Sequence, residues 1–116
     1  MAQVLPYSSV EFPAAALAAQ SLVTATDSER LAQTFKAMAD PTRVRILHAL
    51  ALAELPVCEL ARLVQISESA VSHQLGLLRA LRVVRRRKIG RHVLYALDDD
   101  HIRDLIDVGL AHLAHS

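Results

Sequence analysis

The chain has 116 residues and a mass of 12.7 kDa, which allows one small domain with a modest core. Hydrophobic residues make up 53% of the chain, but Trp is absent and aromatic residues are only 3%, so the core must consist of Leu, Ile, Val and Ala. The single cysteine, Cys58, excludes an internal disulfide, and the longest uncharged stretch, residues 12–26, is too short and polar to span a bilayer. We therefore expect a helical, cytoplasmic protein without a membrane segment.

The net charge of +1 conceals an uneven distribution of charge along the chain. Seven Arg and Lys residues lie between Ser69 and Leu97 with no acidic residue among them, whereas five aspartates follow within residues 98–107. The first of these segments is suited to anions and the second to cations.

Two helical segments are predicted after a short N-terminal arm. Residues 1–13 are predicted to form a flexible arm because they contain two prolines and two adjacent serines, Pro6, Ser8, Ser9 and Pro13. The folded domain is expected to comprise residues 14–116. Residues 14–24 have a helix-forming composition, and Thr26 with Glu29 has the spacing of a capping box at the start of a second helix.

A third helix is predicted to begin in the sequence "ADPTRVRILHALA". Asp40 is a suitable N-cap and Pro41 a suitable first helical residue. The apolar spacing indicates that Val44, Leu47 and Ala51 face inward.

Two further helices have the spacing of a helix-turn-helix motif. Residues 56–64 form a helix of about two turns, a break follows at 65–66, and Ser67 N-caps the second helix. The helical period in this second helix turns one set of residues to the core, namely Val71, Leu75, Leu78 and Leu81, and leaves a small polar face outward, with Ser69, Ser72, His73 and Gly76.

The sequence "VVRRRKIGRHVLYAL" changes from helical spacing to the alternation of β-strands. Gly90 at the reversal predicts a two-stranded hairpin, which would form a basic wing beside the helix-turn-helix. Such an arrangement binds DNA with the second helix in the major groove and the wing along the neighbouring backbone or in the minor groove. The predicted base-contacting residues are Ser69, Ser72, His73 and Gln74, and the predicted phosphate ligands are Arg86, Arg87, Lys88 and Arg91.

The last segment, from about Asp100 to His115, returns to helical spacing and carries histidines near both ends. Its predicted buried stripe consists of Ile102, Leu105, Ile106, Gly109, Leu110 and Leu113. His101 and His112 share one face but lie about 16 Å apart along the axis, so they cannot bind the same ion.

An antiparallel pair of these helices in a homodimer would bring the two ends together. Asp99 and His101 of one subunit would then join His112 and His115 of the other, which gives two identical sites. One carboxylate and three imidazoles suit tetrahedral Zn²⁺, with Co²⁺ as a possible substitute.

With these residues identified, the chain resembles the ArsR/SmtB family of bacterial metal-sensing repressors. The segments "FKAMADPTRVRILHAL", "ELPVCELARLV", "SESAVSHQL" and "GRHVLYALDDDHI" carry the resemblance. It implies a mainly α, winged helix-turn-helix homodimer that binds a palindromic operator until metal releases it. The resemblance also implies that the histidine at position 112 makes a hydrogen bond to a backbone carbonyl in the loop after the second helix of the motif, which in this chain lies near Arg82.

The cysteine content of the chain differs from that of some members of the family. The chain departs from family members with a Cys-x-Cys sequence in the first helix of the motif, since Pro56 precedes Val57 and Cys58 here. We expect Cys58 to be a small buried residue.

The first alternative function is a repressor without metal sensing, controlled by a small ligand or by the Cys58 thiol. The second is a zinc hydrolase, which is disfavoured because no open metal position or HExxH sequence is evident.

Overall fold

The computed structural model describes residues 11–115, and these residues form helices and one antiparallel hairpin. Residues 1–10 of the predicted arm lie outside the described residues. In chain order the elements are α1 (Pro13–Ser21), α2 (Ala25–Met38), α3 (Pro41–Leu52), α4 (Val57–Val64), α5 (Glu68–Ala80), β1 (Val84–Ile89), β2 (His92–Leu97) and α6 (Asp100–Ala114).

The chain divides after Leu31 into two compact units. In the first, α1 begins at Pro13 and has no buried residue. The start of α2 is capped by Thr24, whose Oγ1 accepts a hydrogen bond from Asp27 N at 3.1 Å. The predicted cap at Thr26 is therefore wrong, because Thr26 is already inside the helix.

The second unit, from residue 32 onward, contains the core and the helix-turn-helix. Asp40 caps α3 by accepting a hydrogen bond from Arg43 N at 3.0 Å, and Pro41 is the first helical residue, as predicted. The core consists of aliphatic side chains from α3, α4, α5, the hairpin and α6, of which the largest fully buried ones are Ile46, Leu47, Leu50, Leu60, Val71, Leu75, Leu78, Val83 and Val84.

The hairpin is closed by a two-residue turn, since Ile89 pairs with His92. Gly90 has a φ of 60° at the first turn position, which is the arrangement of a type II′ turn and favours glycine. Leu55 adds an isolated bridge to Tyr95 and joins the α3–α4 connection to the outer edge of β2. The predicted winged helix-turn-helix fold is confirmed.

Several apolar residues predicted to be buried are exposed. Val44 and Leu81 are both exposed. Leu81 follows the last residue of α5 as its C-cap, so the helical period that predicted its burial ends one residue before it. On α6, Ile102 and Ile106 are buried, whereas the other stripe residues, Leu105, Gly109, Leu110 and Leu113, are exposed. The predicted stripe is thus wider than the surface that the core of one chain covers.

Cys58 is exposed, so the prediction of a buried cysteine is wrong. It occupies the second position of α4, and the buried side of that short helix is formed by Leu60, Ala61 and Val64. Among the described helices, none is both long and apolar enough to cross a membrane.

Candidate DNA interface and metal-binding half-sites

One face of α5 packs on the core, and the opposite face is therefore exposed to solvent. Ser67 caps the helix, with its Oγ accepting a hydrogen bond from Ala70 N at 3.1 Å. Val71 and Leu75 are fully buried against the core. Of the predicted base-contacting residues, Ser69, Ser72 and His73 are therefore exposed along the opposite side of the helix.

Gln74 differs from the other predicted base-contacting residues because it is half-buried. Its Oε1 accepts a hydrogen bond at 2.8 Å from Nε of Arg43, which lies in the first turn of α3. The predicted pairing of Gln74 with adenine would compete with this interaction.

The wing exposes all four predicted phosphate ligands, namely Arg86, Arg87, Lys88 and Arg91. Arg87 forms an ion pair with Glu54, to whose Oε2 its Nε donates at 2.9 Å and its Nη2 also donates. A neighbouring arginine, Arg85, donates from Nε to the Leu97 carbonyl at 3.2 Å. The positive charge of the wing is therefore partly balanced by one acidic side chain from outside the hairpin.

Arg43 and Glu54 are the two residues near this surface that sequence reasoning missed. Their partners lie 31 and 33 positions away in the chain, respectively. Neither spacing corresponds to a local helix or strand contact, so no periodic signal could have revealed the pairs.

The predicted metal-binding half-site at the start of α6 consists of two neighbouring side chains. Asp99 Oδ1 accepts a hydrogen bond from Ile102 N at 3.2 Å and thereby caps the helix. Its second carboxylate oxygen, Oδ2, lies 3.5 Å from His101 Nδ1, and both residues are exposed. The cap leaves one oxygen and one imidazole side by side at the surface, which are donors that fit Zn²⁺.

The pKa of Asp99 is lowered from its ordinary value of 3.8. The hydrogen bond from Ile102 N is the main cause, and His101 contributes a further hydrogen bond and a favourable charge. The carboxylate therefore remains ionised, as a metal ligand must be, at lower pH than an isolated aspartate.

The other half-site residues lie at the far end of the same helix. His112 occupies the last turn of α6 and His115 is its C-cap; both are exposed. Within residues 11–115 of a single chain, no group of three or more His, Cys, Asp or Glu residues could hold a metal ion. One subunit thus carries the four predicted ligands as two separated pairs.

The base of α6 is attached to α3 by apolar and polar contacts. Ile102 and Ile106 belong to the core, and Arg103 Nη1 donates a hydrogen bond to the Ala51 carbonyl near the end of α3. α3 leads through Leu55 to α4 and to the wing. The predicted half-site at Asp99 thus lies on a helix that packs against α3, and α3 in turn packs against the first helix of the helix-turn-helix.

A helix-turn-helix followed by a basic hairpin defines a winged-helix protein of the DNA-binding class. Residues 40–86 match the model of the family described as bacterial regulatory protein, arsR family. The chain is also 47% identical over 89 residues to the transcriptional repressor SmtB homolog of Synechocystis sp., a match that covers 77% of this chain and 67% of the relative. The chain belongs to the arsR family.

The chain is also similar to a relative whose name refers to a metal and to a solved structure that is a homodimer. The cadmium resistance transcriptional regulatory protein CadC homolog of Staphylococcus aureus is 41% identical over 83 residues, covering 71% of this chain and 69% of the relative. A homodimeric winged helix-turn-helix domain from Mycobacterium bovis has a TM-score of 0.73 at 25% identity, covering 79% of this chain and 89% of that one. The family consists of regulators, in agreement with the expectation that the chain is not an enzyme.

Proposed function

We propose that the chain is a cytoplasmic, metal-responsive transcriptional repressor that binds a palindromic operator as an apo homodimer. Zn²⁺, or Co²⁺ in its place, would bind between the paired C-terminal helices and release the DNA. The observation that carries this proposal is the position of four side chains of the types that bind metals, which lie in pairs at opposite ends of α6.

The apolar surface between the half-sites supports a dimer of this kind. Val108 is 68% exposed and Leu113 66% exposed in the single chain, and Leu105 and Leu110 are each about two-fifths exposed. Packing two copies antiparallel would cover these side chains and bring the end of one helix to the start of the other. The homodimeric assembly of the similar Mycobacterium bovis domain agrees with this arrangement.

The donor atoms favour zinc or cobalt over thiolate-binding ions. Asp99, His101, His112 and His115 supply oxygen and nitrogen, whereas cadmium is usually held by sulfur ligands. The name of the similar Staphylococcus protein refers to cadmium. In this chain the one cysteine, Cys58, lies on α4 and is the only thiol of the sequence.

The release of DNA follows from the attachment of α6 to the rest of the subunit. A change in the separation of two paired helices would move Ile102, Ile106 and the Arg103 contact to Ala51, and with them α3. The α5 helices of the two subunits must lie about 34–36 Å apart to enter successive major grooves. A dimer in which this spacing has changed binds the operator less tightly.

A subunit-complementation experiment tests the proposal. One variant carries Asp99→Ala and His101→Ala, and a second carries His112→Ala and His115→Ala. Neither homodimer should bind zinc, because each lacks half of both sites. After the two variants exchange subunits in equal amounts, half of the dimers should be mixed with one complete site, which gives about one quarter of the wild-type zinc stoichiometry.

Equilibrium dialysis against a competing chelator measures the zinc content of each sample, and sedimentation confirms that all are dimers. Stoichiometric zinc in either parent variant, or none in the mixture, would contradict the shared site. If wild-type protein itself binds no zinc but binds operator DNA, the alternative of a repressor without metal sensing replaces the proposal.

A further inference from the structure

Arg43 connects three parts of the second unit through its backbone and side chain. Its backbone N–H donates a hydrogen bond to Asp40 Oδ2 at 3.0 Å. In its side chain, Nε donates to Gln74 Oε1 at 2.8 Å and Nη1 donates to the Ala37 carbonyl at 3.4 Å. These partners belong to the α2–α3 junction and to α5. A single guanidinium on α3 therefore joins the end of α2 to the middle of α5.

The geometry of this contact conflicts with base recognition by Gln74. A glutamine that pairs with adenine accepts a hydrogen bond from N6 through Oε1 and donates to N7 through Nε2. Here Oε1 is engaged by a charged donor, and hydrogen bonds to charged groups are stronger than neutral ones. The amide oxygen keeps a second lone pair, so the contact opposes base pairing by holding the half-buried side chain beside α3 rather than by using up the acceptor.

The burial of the α5 residues points in the same direction. Ser69, Ser72 and His73 are exposed, whereas Gln74 is half-buried beside Arg43. A cavity of about 340 Å³ adjoins the contact and is lined by Gln33, Lys36, Ala37, Arg43, Leu77 and Leu81. The side of α5 that carries Leu77 therefore borders open space, and the Arg43–Gln74 hydrogen bond is a polar contact next to it.

We infer that Arg43 and Gln74 form a positioning pair that sets the orientation of the reading helix, and that Gln74 does not read a base. Sequence recognition then falls to Ser69, Ser72 and His73. This inference rests on the proposed function in one respect, namely that α5 is the helix that enters the major groove.

The test uses Arg43→Met, Gln74→Met and the double variant in the full-length apo protein. The DNA probe is the duplex that the wild-type protein selects from a random library, together with all its single-base-pair variants and a scrambled duplex. Each single protein variant should lose about tenfold in the ratio of operator to scrambled affinity. The double variant should lose no more than about twofold beyond either single one, because both remove the same contact.

The pattern over base pairs separates positioning from reading. A misoriented helix weakens discrimination at all contacted positions together, whereas loss of a reading side chain relaxes one position. Ser72→Ala is the matched control and should relax one position. The slope of log affinity against log salt should stay unchanged in Arg43→Met, since a lost phosphate contact would reduce it by about 0.9.

Three results would overturn the inference: relaxation at a single base pair in Gln74→Met, additive losses in the double variant, or a reduced salt slope in Arg43→Met. Thermal unfolding by circular dichroism checks that each variant folds. If a methionine variant does not fold, Gln74→Glu replaces it, because glutamate still accepts from Arg43 but cannot donate to adenine N7. Unchanged base preferences are expected for that variant, and a changed preference at one position contradicts the pair.

The selection step distinguishes this inference from the proposed function. If wild-type protein enriches no duplex, DNA recognition by α5 fails and the inference fails with it. If a duplex is enriched and Gln74→Met relaxes one position, only the inference fails.

Discussion

Glu54 illustrates how one residue outside the basic segment changes the charge that the wing offers to DNA. Arg87 donates twice to the same carboxylate oxygen of Glu54; its side chain is 57% exposed and that of Glu54 is 33% exposed, so solvent reaches both members of the pair. Exposed ion pairs contribute little to stability, with a median of about 0–1 kcal/mol. The pair therefore has a larger effect on binding than on folding, because a phosphate must compete with Glu54 for Arg87.

Substitution of Glu54 by Gln should release Arg87 for a phosphate contact. We expect tighter operator binding at low salt and a log-log salt slope that is steeper by up to about 0.9, while the free energy of unfolding changes little. Fluorescence anisotropy at several salt concentrations measures the slope. Glu59→Gln is the matched control, because it removes the same charge from a pair with Arg62 on α4; an equal change of slope in both variants would show a general charge effect instead.

At the scale of elements, α6 has two different faces. Ile102 and Ile106 pack on the core, and Arg103 contacts the end of α3, whereas Val108 and Leu113 face outward. The first two turns of the helix are thus attached to its own subunit, and the exposed remainder is available to a partner. An element with this division can transmit a change at the subunit interface to α3.

His112→Asn should separate operator binding from its control by zinc. The apo variant should bind operator as the wild type does, because His112 lies in the last turn of α6 rather than on α5 or the wing. Zinc should weaken operator binding by about 5- to 150-fold in the wild type, the range of ordinary coupling energies, and by less than about twofold in the variant. Operator titrations with and without zinc measure both quantities. His92→Asn on β2 is the control, and full zinc-driven release by His112→Asn would remove this residue from the mechanism.

At the scale of the whole molecule, the exposed aliphatic surface is larger than one small core explains. Only two residues of α6 are buried within residues 11–115, although the helix has 15 residues and its apolar positions recur at helical spacing. Small domains bury a limited fraction of their surface, so a second copy is an effective way to cover such a face. The fold of one subunit is therefore compatible with a structure completed by dimerisation.

Leu113→Glu tests the dimer directly. A charge placed on this 66% exposed position should leave the subunit folded but weaken dimerisation by about tenfold or more, because it would be desolvated at the interface. Analytical ultracentrifugation measures the dissociation constant. Ile89→Glu, at the tip of the wing, is the matched control and should sediment as the wild type; an unchanged dimer in Leu113→Glu would place the interface elsewhere.

The sequence by itself determined the features that depend on neighbouring residues. Asp40 and Ser67 were identified as helix caps, and Gly90 as the hairpin turn, because each acts on a backbone only a few positions away. The inward positions of α5 followed from the helical period as far as Leu78. These local signals were sufficient for the winged helix-turn-helix.

The tertiary structure alone decided which residues meet across the chain and which apolar positions are covered. The Arg43–Gln74 and Glu54–Arg87 contacts join residues more than 30 positions apart, so their partners depend on how the helices pack. The helical period predicted that Leu81 and Leu113 face inward, but a period cannot show how far neighbours cover a side chain, and within residues 11–115 the two are 43% and 66% exposed. Exposure is a property of the whole packed chain, which is why the prediction of a buried Cys58 was also wrong.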